Sequence, residues 1–422
     1  VYSTGAGGER LDLDETTIAD VFKSAGYRTG LFGKWHSGSQ YPYHPHGRGF
    51  DTFYGFASGH WGLYFDPMVE DNGAMTRATG YLPDDYTDAA MDYMEASVRR
   101  EQPFFVYLAY NTPHSPMQVP DRFWERYEDR EVAQDGTEAG REDKRHTKAA
   151  LAMCENIDWN VKRITDHLDD LGIAENTIVL YMTDNGPNGH RWNGQMKGTK
   201  GSTDEGGVRS PLFMRWPGTL EAGRTVGEIC SVIDLLPTLA DVAGIPLELE
   251  KPLDGVSLKP LLMDRDPEWK ERMIFNFWRD RLSVRTQRYR LDHEGKLFDM
   301  VEDPYQTTDL SDKKPQITAE LKAAAEDWRE QVLAGAFDQE RPFTVGHPDY
   351  GLSYLPARDA IAHGNIERSN RYPNDSYFRN WTSVDDYLSW EVEVLESGHY
   401  AVEIWYACPE SGVGSEIALE WM

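Results

Sequence analysis

Apolar residues recur every three or four positions in two parts of the chain, which is the spacing of a helix with one buried face. The first part runs from Asp14 to Gly26, where we expect Asp14 to cap the helix and Gly26 to end it. The second runs from Thr147 to Leu171 and is followed by Gly172. The pattern therefore predicts a short early helix and a long amphipathic helix further along.

Two other runs, Phe104–Tyr110 and Thr177–Met182, are apolar on both faces. A strand with one wet face alternates between apolar and polar residues, so these runs predict strands that are covered on both sides. Helices and strands that alternate along the chain predict an α/β sheet between layers of helices. Polar clusters begin directly after the two runs, at Asn111 and at Asp184. Because ligands bind beyond the carboxyl ends of strands in such sheets, we predict a site there.

The pattern changes after about Pro260. Four short alternating stretches predict a small antiparallel sheet, and the segment from Pro315 to Leu333 predicts a helix. From Arg341 the chain is rich in Tyr and Trp, and the runs YLSWEVEVL and HYAVEIWYA alternate as strands of a β-sandwich do. We therefore predict three units: an α/β catalytic domain at 1–260, a small antiparallel subdomain at 261–338 and a partial β-sandwich at 339–422.

The charge of the chain narrows the classes of partner. A net charge of −28 repels a phosphate backbone, so nucleic acid is not expected as a partner. A polyanionic substrate would be repelled as well, unless cations were concentrated at its site. No run approaches the about 18 apolar residues that a membrane span requires. We expect a secreted or periplasmic protein, although no targeting segment is visible in the sequence.

Four clusters of residues have chemistry that suits a catalytic site. Lys34 and His36 are two apart on an extended segment and should point to the same side. His114 lies in the proline-bounded loop NTPHSP, and Asp184 with Asn185 offers oxygen donors that suit Ca²⁺ or Mg²⁺. The glycine-rich stretch Met196–Pro211 carries Lys200 and has the composition of a loop that closes around an oxyanion. Taken singly, each cluster has an equally ordinary interpretation, such as a surface lysine, a loop histidine or an Asx turn.

Together the four clusters indicate one kind of chemistry. All of them fall at strand ends or in the adjacent loops of one predicted sheet. Fixed cations, imidazoles and a metal ion stabilise the negative charge that develops on a tetrahedral anion. The combination therefore predicts a site for a sulfate or phosphate group.

These segments resemble the sulfatase family of the alkaline-phosphatase-like superfamily. GYRTGLFGKWH is similar to the family's second signature, with Phe32 where a smaller residue is usual, and three further blocks follow in order: NTPHSP, TIVLYMTDNGPNG and KGTKGSTDEGGVRSP. The resemblance covers roughly Leu11 to Leu333. It implies an arylsulfatase-like sulfuric ester hydrolase with the alkaline-phosphatase-like fold.

The resemblance also implies a role for each matching residue. Asp184 and Asn185 would be two of the four ligands of one Ca²⁺ ion. Lys34 and Lys200 would bind sulfate oxygens, His36 would lie beside the nucleophile, and His114, with Lys200, would face the leaving-group oxygen. A sulfated carbohydrate or another sulfated small molecule is the expected substrate. Loop residues that we expect to line the mouth of the site are Arg48, His60, Arg191 and Asn193.

One departure from the family pattern is serious. The family's nucleophile is a formylglycine made from the Cys or Ser of a C/S-x-P-x-R motif, and the sequence contains no such motif. We expect that motif, and the remaining calcium ligands, just upstream of Val1. The chain would then be a fragment cut at both ends, and we expect it to be inactive by itself.

Two alternatives stay open at this stage. The first is a phosphate or phosphonate ester hydrolase of the same superfamily, although a single Asp-Asn pair with a lysine-rich loop favours sulfate. The second is an inactive glycan-binding protein. The aromatic residues that motivate it are Trp381, Trp390, Trp405 and Tyr406. The sequence does not predict an oligomeric state.

Overall fold

The computed structural model describes residues 9–136, 138–264, 268–334, 342–370 and 376–421. Within these ranges the α-helices are α1 (Ile18–Ser24), α2 (Leu82–Arg99), α3 (Asp121–Trp124), α4 (Lys144–Asp170), α5 (Glu205–Val208), α6 (Leu235–Ala243), α7 (Lys259–Met263) and α8 (Pro315–Val332). None of the described helices is long and apolar enough to cross a membrane.

The strands follow the same order. Those of the first three hundred residues are β1 (Arg28–Lys34), β2 (Thr52–Phe56), β3 (Met68–Asp71), β4 (Ala74–Arg77), β5 (Phe104–Ala109), β6 (Val179–Met182), β7 (Leu212–Arg215), β8 (Ile274–Trp278), β9 (Arg281–Arg285), β10 (Tyr289–Leu291) and β11 (Leu297–Asp299). The later ones are β12 (Phe343–Val345), β13 (Ile361–His363), β14 (Glu367–Arg368), β15 (Phe378–Arg379), β16 (Tyr387–Ser389) and β17 (Val392–Val394).

The central sheet has five strands in the order β4-β3-β2-β1-β5. β1 pairs in parallel with β2 on one side and with β5 on the other, whereas β3 and β4 are added as an antiparallel hairpin. Helices cover both faces of the sheet. Adjacent residues of β1 point to opposite faces, so β1 contributes side chains to two cores. Phe32 packs into the core beneath α2 and α4, whereas Leu31 packs into the core beneath α1. The α/β fold with a helix-covered sheet is confirmed.

The placement of β6 differs from the expectation. We predicted that Phe104–Tyr110 and Thr177–Met182 both belong to one sheet that is covered on both sides, but β6 forms a separate antiparallel pair with β7. β5 is the edge strand of the central sheet, and β5 and β6 line one common cavity. Both strands are therefore only half buried in their side chains. The apolar pattern identified the strands but not their neighbours.

The predicted helices are present, with two changed starts. α1 begins at Ile18 rather than after Asp14, because Thr17 is the capping residue. The Thr17 side chain accepts from the Asp20 backbone N–H, and the Asp20 carboxylate accepts from the Thr17 N–H. This reciprocal pair is a capping box, which satisfies two helix N-terminal donors at once. α8 lies where the sequence predicted it, whereas α4 begins at Lys144 rather than at Thr147, because Asp143 is its capping residue.

The predicted small antiparallel sheet is present. β8 to β11 form an antiparallel sheet in the order β11-β10-β9-β8. α8 packs on this sheet, and the shared core contains Val284, Leu291, Leu297 and Leu321. The four alternating stretches of the sequence are thus the four strands of this sheet.

The C-terminal part has less regular structure than the predicted sandwich. β12 to β17 are two or three residues long and pair two at a time. The run at residues 399–407 is not a strand, and Val402, Ile404 and Trp405 are exposed. Alternation alone does not make a strand, because the backbone groups need a paired neighbour. The predicted boundary at residues 338–339 lies outside the described residues.

Residues 342–359, which we name the C-terminal clamp, are held against the first unit. Arg10 Nη1 donates to the Pro342 carbonyl at 2.6 Å, and Gln40 Nε2 donates to the Tyr354 carbonyl at 2.6 Å. The hydroxyl of Tyr350 donates to Glu70 on β3. The clamp therefore joins the part of the chain after α8 to the sheet that carries β1.

Candidate active site

One cavity of about 2240 Å³ opens where β1, β5 and β6 end. Eight of the ten residues that the sequence singled out line it: Lys34, His36, His114, Asp184, Asn185, Arg191, Asn193 and Lys200. Behind this polar mouth the cavity continues between β5 and β6, where apolar residues of α1, α4 and α6 form its walls. The structure thus brings together side chains that are distant in sequence.

Lys34 is the last residue of β1, and a glycine beside it sets its position. Gly33 has φ of +117°, and a Cβ there would lie 2.2 Å from the Ala109 carbonyl oxygen. Only a residue without a side chain allows β1 and β5 to run this close together at their ends. The close approach places Lys34 next to the loop that follows β5.

The charged groups of the cavity act on each other. Burial lowers the pKa of the Lys34 ammonium, Lys200 and Arg358 lower it further, and Asp184 works in the opposite direction. Lys34, Lys200 and Asp184 are therefore close enough to interact electrostatically. Two positive charges that repel each other beside one cavity favour the binding of an anion between them.

His36 packs against Gly59, the residue that precedes His60. Gly59 has φ of +75°, and a Cβ there would lie 2.0 Å from Cδ2 of His36, so the imidazole of His36 packs directly on the backbone. The His60 ring meets that of His114 edge to face, with ring centres 4.9 Å apart. His60 therefore contacts the proposed proton donor.

His114 is held by its own loop. Its Nδ1 lies 2.8 Å from the Ser115 carbonyl oxygen, and because a carbonyl only accepts, Nδ1 carries the proton. The Nε2 atom is left as the nitrogen that can gain or lose a proton. Burial lowers the pKa of His114, Lys200 and Lys34 lower it further, and the Ser115 bond and Asp184 offset part of the effect.

The glycine-rich loop places Lys200 beside the turn after β6. The Lys200 N–H donates to the Pro187 carbonyl at 3.0 Å, and the Gly186 N–H donates to the Gly207 carbonyl at 2.9 Å. A Cβ on Gly186 would lie 1.9 Å from the Gly206 carbonyl oxygen, so the contact requires glycine. The two segments approach backbone to backbone, which brings Lys200 near Asp184.

Asn193 shapes this loop. It is 8% exposed, and its Nδ2 donates to the carbonyls of Met196 and Gly198 at 3.0 Å each. The sequence predicted Asn193 at the mouth of the site, and it does line the cavity. Its amide nitrogen, however, is used to hold the loop.

A buried ion pair that the sequence did not reveal anchors the same loop to the second unit. Arg290 on β10 is 2% exposed and donates to Glu205 Oε2 and to the Thr203 carbonyl, both at 2.7 Å. Lys197 Nζ donates to Asp292 at 2.8 Å. Single charged residues in a strand pattern look like surface positions, so only the structure shows these pairs.

Asp184 and Asn185 can contribute to a Ca²⁺ site but do not complete one. Asn185 Nδ2 donates to the Gly186 carbonyl at 2.8 Å, which leaves its Oδ1 as a possible ligand beside the Asp184 carboxylate. Ca²⁺ takes about six to eight oxygen ligands. Within the described ranges, no three His, Cys, Asp or Glu side chains form a group that could hold a metal ion. The donor types fit calcium, and further ligands would be needed.

Arg48 is placed differently from its prediction. It is 3% exposed and is not among the residues that line the cavity. Its Nη2 donates to the Glu15 carbonyl at 2.5 Å, and its own carbonyl accepts from Thr17 Oγ1 at 3.0 Å. Arg48 therefore fixes the segment before α1, because a buried guanidinium must satisfy its donors with whatever acceptors are near.

Comparison with known proteins adds a family context to this geometry. The family model described as Sulfatase matches residues 2–245, and the model for the C-terminal region of N-sulphoglucosamine sulphohydrolase matches residues 200–331. The second match includes Lys200 and the anchor of its loop. The two models together therefore span the cavity and the small antiparallel sheet.

Individual relatives are moderately similar. The uncharacterized sulfatase YdeN of Escherichia coli K12 is 33% identical over 293 residues, which is 63% of this chain and 50% of that protein. The N-acetylgalactosamine-6-sulfatase of Mus musculus is 30% identical over 286 residues, 62% of this chain and 51% of that protein. The chain thus spans about half the length of these curated relatives.

A solved structure with similar architecture is that of Ps i-CgsB in complex with k-i-k-neocarrahexaose. It shares 26% sequence identity with this chain, with a TM-score of 0.69, and the match covers 78% of this chain and 76% of that one. The putative sulfatase yidJ from Bacteroides fragilis, at 20% identity and a TM-score of 0.65, shares the fold. The similarity therefore extends from sequence motifs to the arrangement of the elements.

Proposed function

The chain belongs to the sulfatase family, whose model covers residues 2–245, and from this premise we propose that the protein hydrolyses sulfate esters. The observation that carries the proposal is that Lys34, His114, Asp184 and Lys200 all line one cavity. Attack at sulfur places negative charge on the sulfate oxygens and on the leaving oxygen. Fixed cations that surround these atoms lower the barrier to the reaction.

Four residues of the cavity have a proposed task in this reaction. Lys34 and Lys200 bind oxygens of the sulfate group, and they cost no reorganisation because both lie at backbone positions that the glycine contacts fix. His114 donates a proton from Nε2 to the leaving-group oxygen. His36, two residues after Lys34, lies beside the attacking group and assists release of sulfate.

We also propose the family's two auxiliary groups, one Ca²⁺ ion and a formylglycine nucleophile. Asp184 and Asn185 would supply two oxygen ligands to the ion, which would add positive charge opposite the sulfate oxygens when bound. The donor set supports this part of the proposal, since carboxylate and amide oxygens are what Ca²⁺ prefers. The 422 residues contain no C/S-x-P-x-R motif that could be the source of formylglycine.

A sulfated carbohydrate is the proposed substrate class. The relatives point in this direction by their names, which include an N-acetylgalactosamine-6-sulfatase and a structure that binds a neocarrahexaose. The cavity of about 2240 Å³ has enough volume to hold a sugar. Degradation of a sulfated polysaccharide outside the cytoplasm is the setting that this chemistry suits, and secretion or export is part of the proposal.

The experiment that tests the function compares two esters with the same leaving group. Protein produced from the complete gene is assayed with 4-nitrophenyl sulfate and 4-nitrophenyl phosphate in the presence of Ca²⁺. We expect the sulfate to be the better substrate. Lys200→Ala should lower kcat/KM for the sulfate about 100- to 1000-fold, which is the usual cost of removing one group that stabilises an oxyanion.

The matched control is Lys162→Ala, since Lys162 is exposed on α4 and pairs with Asp166 of the same helix. It should retain the activity of the unchanged protein. A higher rate with the phosphate ester would reject the sulfatase assignment. Equal effects of Lys200→Ala and Lys162→Ala would reject the role of the cavity.

A further inference from the structure

A histidine at the start of α4 joins the two loops that form one wall of the cavity. His146 Nδ1 lies 2.9 Å from Arg191 Nη2, and His146 Nε2 lies 3.3 Å from Ser115 Oγ. Ser115 follows His114 in the loop after β5, and Arg191 lies in the loop after β6. All three residues line the cavity. His146 thus links the two loops that carry the proposed proton donor and Arg191.

The two hydrogen bonds fix the protonation state of His146. A guanidinium can only donate, so Nδ1 must accept from Arg191 and cannot carry a proton. The proton is then on Nε2, which donates to Ser115 Oγ. His146 is therefore neutral in this arrangement, and protonation of Nδ1 would break its bond to Arg191.

The surroundings of His146 favour this neutral form. Burial lowers the pKa of His146 and Arg191 lowers it further, while Asp143, the N-cap of α4, raises it in part. Around Arg191, burial lowers the pKa of the guanidinium, while Cys154 and Glu142 raise it. No other charged group that faces the pair acts strongly on either residue within the described ranges.

No salt bridge among the described residues neutralises the charge of Arg191, which allows it to bind an anionic ligand. Within the part of the chain that the structure describes, Arg191 forms no salt bridge, and its hydrogen-bond partner is the neutral His146. A partly buried guanidinium that has no carboxylate in salt-bridge contact retains most of its attraction for an anion. Glu142 acts on Arg191 only through the longer-range charge interaction described above.

We propose that Arg191 binds a second anionic group of the substrate, a sulfate or a carboxylate other than the ester that is cleaved, and that His146 is the positioning residue that holds Arg191 in place. This inference rests on the proposed function, because it assumes that the cavity receives a sulfated ligand. The substrate class that follows is a glycan with at least two acidic groups on the same or adjacent sugar rings.

The test measures selectivity between two ligands by isothermal titration calorimetry with protein from the complete gene. The ligands are a hexosamine with one sulfate and the same hexosamine with two sulfates. Arg191→Ala should raise the Kd of the disulfated ligand about ten- to a hundredfold, the usual range for losing a charge-assisted hydrogen bond, and should bring the two Kd values close together. The exposed Arg99→Ala serves as the matched control and should keep the preference.

Three substitutions of His146 separate positioning from packing. His146→Ala removes the acceptor and should lose most of the preference. In His146→Asn the amide oxygen can take the place of Nδ1 and accept from Arg191, so the preference should return. In His146→Gln the amide group lies at the place of Nε2 and cannot restore that bond. The exposed His293→Ala is the control and should leave the preference intact.

Acidity provides a second readout that packing alone would not produce. As pH falls through the lowered pKa of His146, the protonated ring can no longer accept from Arg191, so the preference for the disulfated ligand should decline. His146→Asn has no group that titrates there and should keep its preference over the same range.

The outcomes distinguish the inference from the proposed function. Hydrolysis of an aryl sulfate together with a selectivity that Arg191→Ala leaves unchanged would overturn the inference alone. An Arg191-dependent preference without any hydrolysis would support the anion site and reject the reaction. Equal behaviour of His146→Asn and His146→Ala would overturn the positioning role, and no binding of either ligand would overturn both proposals.

Discussion

His114 illustrates how the charge around a single residue controls its chemistry. A proton donor must be protonated, and the protonated fraction falls as pH rises through the pKa. Burial and the two lysines hold the pKa of His114 below its ordinary value of 6.5. We therefore expect kcat/KM for a sugar sulfate to decline with rising pH from an acidic plateau. A pH–rate profile measures this directly, and His114→Ala should remove the decline.

The leaving group provides the control for this prediction. An alkoxide from a sugar is a poor leaving group and needs the proton, whereas 4-nitrophenolate leaves without one. His114→Ala should therefore cost about 100- to 10,000-fold with a sugar sulfate and far less with 4-nitrophenyl sulfate. Equal losses with both substrates would contradict the role of His114 as the acid.

The location of single residues could be predicted from the sequence when they belong to a motif, and less well when they are isolated. Lys34, His114, Asp184 and Lys200 lie in segments with several distinctive neighbours, so their shared location could be predicted before the structure was known. Arg48 could not be placed, because an arginine in a loop can either face solvent or bury itself on backbone carbonyls. His146 gave no signal at all, since it belongs to no motif and directly precedes the helix predicted from Thr147.

Between elements, the ion pair of Arg290 and Glu205 connects the small antiparallel sheet to the loop of Lys200. Arg290→Met would leave Glu205 buried without its 2.7 Å partner, and the nearest remaining cations, Arg285 and Arg209, are each 3.6 Å away. Breaking a buried pair from one side costs about 3–5 kcal/mol. We expect chemical denaturation to show this loss of unfolding free energy, together with a fall in kcat/KM because Lys200 is displaced.

The exposed pair of Lys296 and Glu294 in the same sheet is the comparison for this change. Lys296→Ala should alter the unfolding free energy by about 0–1 kcal/mol, as is usual for surface pairs. If Arg290→Met were equally mild, the small sheet would not be the support of the loop.

The C-terminal clamp should respond to acid through Glu70. Burial acts to raise the pKa of Glu70, but hydrogen bonds from His44, Tyr350 and the Gly73 N–H outweigh it and hold the pKa below its ordinary value of 4.5. A depressed carboxyl pKa stabilises the folded state above the ordinary value, and this contribution is lost as pH falls through the lowered pKa. We expect the clamp to open in acid before the core unfolds.

Hydrogen exchange over residues 342–359 would follow that opening as pH is lowered. Glu70→Gln removes the titrating group, so protection of this segment, measured relative to exchange of the unfolded chain at the same pH, should be lower at neutral pH and should change little on acidification. Protection that does not depend on pH in the unchanged protein would show that Glu70 does not hold the clamp.

The strands of the small antiparallel sheet were predicted correctly because their partners are close in sequence, whereas the β3–β4 hairpin was not predicted. β8 to β11 are joined by short turns, so alternation and turn residues together define the sheet. The run at residues 399–407 alternates equally well but has no paired strand among the described residues. The same holds for β5 and β6. A run that is apolar on both faces predicts a buried strand, but it does not indicate which strand pairs with it.

For the molecule as a whole, the sequence predicted the class of fold, and the residues of the candidate site line one cavity at the strand ends. Some features could be predicted and others could not, because sequence patterns report on local structure only. Helix and strand periodicities are local, whereas the joining of the C-terminal clamp to β3 depends on residues such as Glu70 and Tyr350 that have no shared pattern. Contacts between distant segments depend on the complementary shape and charge of two surfaces, which cannot be recognised from a single sequence.

The separation of β5 from β6 has a consequence for handling the protein. Among the described strands, β5 lies at the border of the central sheet and pairs with β1 on one side only, so the peptide groups along its other border are available to an extended chain that reaches them. The 422-residue polypeptide by itself should form oligomers as its concentration increases, which light scattering coupled to size-exclusion chromatography would detect. A constant monomer mass would show that these peptide groups attract no neighbour.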